Sequence, residues 1–232
     1  MQKIYLHIGH GGSDSGAVGK LSKEKDITLK IGTFTYYALL KQGFDVLMSR
    51  NSDVQNKDAS KTANRWGAEL VISIHCNSFT DTSASGTEVL VYKKGGRAEQ
   101  FANIILPLSV EALDTKNRGV KEQNVEILRN TDAPAVLLET AFISNIRDEQ
   151  KLITTKYQQK TAEAIAKAVC KFYRKEYVAV DYQNHWAKEY IERVMNSGIM
   201  VGDGNGQFRP NDYLTRAEAA VIISKLLDEL GA

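Results

Sequence analysis

Apolar positions recur at two different periods along this chain. "KIYLHI" (3–8), "FDVLMS" (44–49), "LVISIH" (70–75), "TEVLVY" (87–92) and "AVLLE" (135–139) are short apolar runs of strand length. Between them, Ile27, Ile31, Phe34 and Ala38 return at helical spacing over residues 24–42, and Gly43 supplies a stop. Helices are also predicted over 58–68, 97–113 and 156–176. Strand and helix alternate throughout, which predicts an α/β domain with a mostly parallel sheet covered by helices on both faces. In such sheets ligands bind beyond the carboxyl ends of the strands.

Composition narrows the function classes without choosing one. The 232 residues are 43% hydrophobic and 25% charged, as expected of a globular chain of one or two domains. Thirty Lys and Arg against 28 Asp and Glu leave a net charge of +2, and no basic stripe interleaved with aromatics suggests a nucleic-acid partner. The apolar runs are far shorter than the roughly 20 residues of a membrane span, so no membrane segment is expected. A strand pattern beginning at Lys3 leaves no room for a signal peptide, so synthesis in the cytoplasm is expected. Two cysteines, Cys76 and Cys170, do not make a disulfide framework.

The polar residues at strand ends carry the chemistry. In "IYLHIGHGGSDSGAVG" (4–19), His10 follows the first predicted strand; His75 ends a second and Glu139 a third. All three then meet at one edge of the sheet. Glu24 opens the first helix and folds back over the same edge. A histidine in a Gly-rich turn, a glutamate in a first helical turn and a histidine ending a strand each have ordinary structural explanations. Glu139 is harder to explain so, because a carboxylate directly after four apolar residues of a buried strand needs something to offset its desolvation. Two imidazoles and one carboxylate are a recurrent ligand set for catalytic zinc, which leaves the other carboxylate free as a base. Strand alternation turns Cys76 away from any ligand at His75 and into the core.

Four segments, "GHGGSDSGAVG", "EKD", "ISIHCNS" and "PAVLLETAFISN", resemble in order and spacing the motifs of the zinc-dependent N-acetylmuramoyl-L-alanine amidases of the type 3 class, found in phage endolysins and bacterial autolysins. The resemblance covers about residues 3–175. It implies zinc on His10, Glu24 and His75, Glu139 as the catalytic glutamate, and peptidoglycan as substrate. It also supplies the bond, the amide joining the lactyl group of N-acetylmuramic acid to L-alanine. The residues alone support only metal-assisted hydrolysis, which leaves a peptide crosslink or an N-acetyl group as other targets. A wall-binding protein that kept the fold without the activity is expected to have lost a ligand or the glutamate, and all four are present. The family usually has an acid and a proline where this chain has His7 and Ile8, so His7 is expected to support the site rather than ligate. Asn77, Ser78 and Arg118, the last in "NRGVK" (117–121), are candidate substrate contacts.

The composition changes at "EYVAVDYQ", and residues 1–178 and 179–232 are read as separate domains. The second is predicted as a small helical domain of helix, Gly-rich loop and helix. "HWAKEYI", "GDGNGQFRP" and "LTRAEAAVII" resemble one S-layer homology repeat, which implies binding to a secondary cell-wall polymer, with Trp186 and Arg216 as candidate contacts. Thr215 and Glu218 have the spacing of a capping box. "DGNGQ" lacks the closing glutamate of an EF-hand loop and is read as a turn. Such repeats usually occur three to a chain and one is present here, so a homo-oligomer through the tail is expected. Action on the wall is expected after release through a phage-type membrane pore made by another protein, with lysis of a mother cell as the alternative.

Overall fold

A computed structural model describes residues 1–54, 58–182, 185–203 and 207–230. Among these residues six strands form one sheet: β1 (Lys3–Ile8), β2 (Asp45–Met48), β3 (Leu70–Asn77), β4 (Thr87–Val91), β5 (Asn117–Glu122) and β6 (Ala135–Phe142). Their order is β2-β1-β3-β6-β4-β5. β1 pairs parallel with β2 and β3, β3 with β6, and β4 with β5; only β4 and β6 run antiparallel. The mostly parallel sheet is therefore present, with one reversal next to its centre.

Pleating sends alternate side chains to opposite faces, and each face has its own core. Ile4, Leu6 and Ile8 of β1, Ile72 and Ile74 of β3 and Val136 and Leu138 of β6 pack beneath α1 (Glu24–Lys41), α3 (Arg97–Leu113) and α6 (Thr155–Phe172), which contribute Ile27, Ile31, Phe101, Ile105, Ile165 and Val169. On the other face Tyr5, Val71 and Leu137 meet Ala59 and Ala63 of α2 (Ala59–Trp66) and Ile127 and Leu128 of α4 (Glu126–Arg129). Cys76 is buried within the first core.

Three elements have no counterpart in the sequence reading. β5 is an edge strand with no buried position, so "NRGVK" shows no apolar alternation. The helix α4, with 4 residues, and α5 (Ile146–Leu152), with 7, are too short for a helical period to register. β3 and β6 also run past His75 and Glu139, to Asn77 and Phe142. Asn77 thus closes its strand instead of following it.

The chain divides into two compact units, Met1–Tyr177 and Val178–Ala232. Within the second, α7 (Lys188–Asn196) and α8 (Arg216–Leu230) flank a loop pinned by Asp181, whose carboxylate accepts from the backbone N–H of Phe208 at 3.0 Å and Arg209 at 2.6 Å. Tyr182 and Ile191 are buried there. The capping box forms: Thr215 N–H donates to Glu218 Oε2 at 2.8 Å, and Glu218 N–H donates to Thr215 Oγ1 at 3.2 Å. Residues 204–206 of the "DGNGQ" turn lie outside the described residues. Among the described residues no helix is long and apolar enough to cross a membrane.

Candidate metal centre and active site

The carboxyl ends of β1, β3 and β6 lie side by side, and the residues leaving them converge. Gly9 N–H donates to the Ile74 carbonyl at 3.1 Å, so the chain leaving β1 continues along β3. His10 then takes a left-handed backbone, φ 61°, and Gly11 and Asp14 exchange backbone hydrogen bonds of 2.9 and 3.1 Å across a tight turn. The turn brings the Asp14 carboxylate to 2.9 Å from His10 Nδ1, which leaves Nε2 facing inward. Farther along the same loop, the buried Glu149 carboxylate accepts from Lys20 N–H at 3.1 Å, Leu21 N–H at 2.8 Å and Ser22 Oγ at 2.7 Å. That support carries the chain into α1, whose first residue is Glu24.

Glu24 lies between the two imidazoles. Its Oε2 is 3.1 Å from His10 Nε2 and its Oε1 is 2.9 Å from His75 Nδ1. Cys76 and Ala17 N–H groups donate to the same carboxylate, each at 2.9 Å. One donor atom from each of His10, Glu24 and His75 falls within 4.8 Å of the others. Two glycines make room: a Cβ on Gly9 would sit 2.5 Å from the His75 ring, and one on Gly16 would sit 2.5 Å from His10 and 2.6 Å from Glu24. Burial pushes the Glu24 carboxyl upward, but its hydrogen bonds to His10 and His75 outweigh it and hold the group well below the usual range. The Glu24 carboxylate in turn raises His10 to about 9, against the opposing effect of burial. A donor set of two imidazoles and an ionised carboxylate, enclosed and mutually oriented, suits zinc.

His7 stands apart from this cluster. Its Nδ1 lies 2.7 Å from Ser73 Oγ, and its ring lies 5.8 Å from that of His75. Burial, then the neighbouring charges of His75, His10 and Arg50, lower it to about 3.

Glu139 is on β6, in register with His75 on one side and Glu88 of β4 on the other. Among the described residues its Oε2 is buried with no hydrogen-bond partner. Burial, then the charges of Glu24 and Glu88, raise its carboxyl to about 8. Glu88 behaves oppositely. Burial favours its neutral form, but Lys121 and Arg118 outweigh that and hold it below the usual range. Two facing carboxyls with opposed proton affinities are a pattern that separates an ionised group from a proton carrier.

The candidate substrate residues Asn77 and Arg118 both turn to Glu88. Asn77 Nδ2 donates to Glu88 Oε1 at 2.9 Å, and Arg118 Nε donates to Oε2 at 2.8 Å. The Arg118 guanidinium also lies 4.7 Å over the Phe142 ring and donates to the Ser85 carbonyl at 3.3 Å. Its Nε and Nη1 are engaged in this network, and the side chain is 29% exposed. Ser78 is exposed beyond β3. Glu88 is not among the residues expected from the sequence, although "TEVLV" carries the same signal as "AVLLE": a carboxylate inside an otherwise apolar run. In the second unit Trp186 is 83% exposed beside His185, and Arg216 is exposed at the start of α8.

Residues 4–171 match the profile of the N-acetylmuramoyl-L-alanine amidases. The chain belongs to that family. Residues 180–220 match the S-layer homology domain. The amidase is 38% identical over 176 residues to the uncharacterised protein YqiI of Bacillus subtilis, covering 73% of this chain and 84% of that one. It is 37% identical over 171 residues to the sporulation-specific N-acetylmuramoyl-L-alanine amidase of the same species, covering 72% of this chain and 66% of the relative. Among solved structures, the catalytic domain of CwlV, an N-acetylmuramoyl-L-alanine amidase from Bacillus (Paenibacillus) polymyxa, superposes with a TM-score of 0.71 at 30% identity, covering 76% of this chain and all of that domain. The chain is thus a peptidoglycan amidase, and its fold is that of the family's catalytic domain.

Proposed function

We propose that the amidase hydrolyses the bond between the lactyl group of N-acetylmuramic acid and L-alanine with zinc held by His10, Glu24 and His75 and with Glu139 as general base. The observation that carries this is the meeting of three donors within 4.8 Å of one another at the sheet edge where Glu139 keeps an uncommitted carboxyl oxygen. Zinc bound there supplies a Lewis acid and lowers the pKa of a water toward roughly 7. Asp14, on Nδ1 of His10, holds that ring with Nε2 toward the site, as metal-binding histidines commonly require. Glu139 takes the proton of the attacking water and delivers it to the nitrogen of the departing L-alanine. Its apolar setting and the fixed charge of Glu88 favour holding that proton between the two steps. Asn77, Arg118 and Lys121 keep Glu88 ionised and in place.

The domains divide the work in this reading: residues 1–178 catalyse, and residues 179–232 bind a secondary cell-wall polymer through Trp186 and Arg216. Thr215 and Glu218 are accounted for by capping, whereas Arg216 in the same turn is exposed and its side chain has no hydrogen bond or ion pair among the described residues. The kinship with a sporulation-specific amidase favours a wall-remodelling role in the bacterium itself, reached by mother-cell lysis, over phage-type release. Mass spectrometry of digested peptidoglycan tests the bond. Stem peptides with a free L-alanine amino terminus and peptide-free glycan are expected; cut crosslinks or deacetylated sugars would overturn the assignment.

A further inference from the structure

Arg50 is a charged residue of the catalytic unit to which neither the chemistry nor the motifs above assign a task. It lies just beyond β2 and is 3% exposed. Its Nη2 donates to the carbonyl of Gly9 at 3.1 Å and to the carbonyl of Lys25 at 2.7 Å. These carbonyls belong to the residue before His10 and the residue after Glu24. One nitrogen therefore ties together the backbones that carry two of the three metal-site residues. Gly9 passes the connection to the third, because its N–H donates to the carbonyl of Ile74, the residue before His75. Thr28 Oγ1 reinforces the junction, donating to the Gly9 carbonyl at 2.8 Å and lying 3.3 Å from Arg50 Nη2. The rest of the guanidinium spans outward, Nε to the Ile8 carbonyl at 3.4 Å and Nη1 to the Ser52 carbonyl at 3.0 Å.

Such a junction answers a local difficulty. His10 has φ 61°, a conformation that disfavours any residue with a side chain by about 1–2 kcal/mol, so the loop does not hold this shape on its own preference. Arg50 also closes the space beneath it: a Cβ on Gly11 would lie 2.9 Å from Arg50 Cδ and Nε. On the outer side Asp53 completes the clamp, accepting from Gly12 N–H at 2.8 Å and from Lys25 Nζ at 2.7 Å. A planar fork reaches acceptors on three segments at once, and a lysine ammonium at the end of a flexible stem does not.

We propose that Arg50 is a positioning residue for metal capture, holding the backbones of His10 and Glu24 at the separation the ion requires. The proposal rests on the zinc reading above, and its test separates the two. Zinc affinity is measured by competition with a chromophoric chelator on the full chain, together with the visible absorption spectrum of the cobalt(II) form and the melting temperature. Arg50→Lys keeps the charge and loses the fork; it is expected to bind zinc about tenfold or more weakly and to shift the cobalt bands. A purely structural role would lower the melting temperature while leaving affinity and spectrum unchanged, and that result on folded protein overturns the proposal. If Arg50→Lys does not fold, the near-isosteric Thr28→Val decides: affinity about threefold or more weaker supports the junction, and parental affinity overturns it. His75→Ala is the control for the underlying reading. Parental zinc binding by that variant, or none by the parent, overturns the site and the proposal together; a zinc-binding parent with an unaffected Arg50→Lys overturns the proposal alone.

Discussion

Replacing Glu139 by Gln removes the base together with a titratable group whose proton affinity rises on folding, so activity should fall while stability relative to wild type climbs with pH. The carboxyl has a pKa near 4.5 in the unfolded chain and about 8 in the fold, raised by burial and then by the charges of Glu24 and Glu88. Below pH 4.5 both states are protonated and the group is neutral toward folding. As pH rises above that value the unfolded chain ionises first, so the wild-type protein loses stability progressively until the folded carboxyl also ionises near pH 8. The loss is about 3 kcal/mol at pH 7, taking 1.36 kcal/mol per pKa unit. Glutamine does not titrate and avoids this loss. It buries an amide where Oε2 has no partner, a penalty of about 1–3 kcal/mol that does not depend on pH. The net gain at pH 7 is therefore small, but its slope is distinctive: the stability of Glu139→Gln relative to wild type should rise by roughly 3 kcal/mol between about pH 5 and about pH 8. In a domain of this size that corresponds to a shift of roughly 6–12 °C in melting temperature. Urea or thermal unfolding of both proteins in chelator, across that range, measures it. Activity on walls should fall by about 100-fold or more, the usual contribution of a general base. Parallel stability curves for the two proteins would refute the account of a destabilised carboxyl, and a variant that cuts walls at the parental rate would refute its role as base.

Chelation should abolish wall lysis and added zinc should restore it; full activity in protein shown by metal analysis to be metal-free would sink the metal reading. Gly16→Ala should fold but lose zinc affinity and activity, because φ 63° costs a Cβ about 1–2 kcal/mol and the methyl would sit 2.5 Å from His10; parental activity would show that this contact relaxes freely. Residues 1–178 should hydrolyse soluble muropeptides as fast as the full chain yet bind intact walls less, and equal pull-down on purified walls would leave the tail without a targeting role. Light scattering should find the full chain larger than a monomer and the truncation monomeric, since an oligomer supplies several wall-binding repeats at high effective concentration; a monomeric full chain removes that explanation of avidity.

Local periodicity and burial are legible in the chain alone. Apolar runs of strand length alternating with helical repeats were enough for a mostly parallel α/β sheet, because each element's buried face is encoded in its own residues. The same logic marked Glu139, since a carboxylate ending an apolar run is conspicuous without knowing its neighbours, and His10, Glu24 and His75 stood where parallel strands deliver their ends. Tertiary structure decided the rest through contacts distant in sequence. The reversal of β4 against β6 brings Glu88 opposite Glu139, and nothing in "TEVLV" states the direction in which that strand runs. Arg118 is 30 residues from Glu88 and joins it only because the edge strand β5 pairs with β4. Arg50 is 41 residues from Gly9 and 25 from Lys25, and reads in the sequence as one more cation after a strand. A side chain's periodicity reports whether it is buried; which groups share its burial, and so whether it ionises, orients a neighbour or holds a loop, is set by strand order and direction.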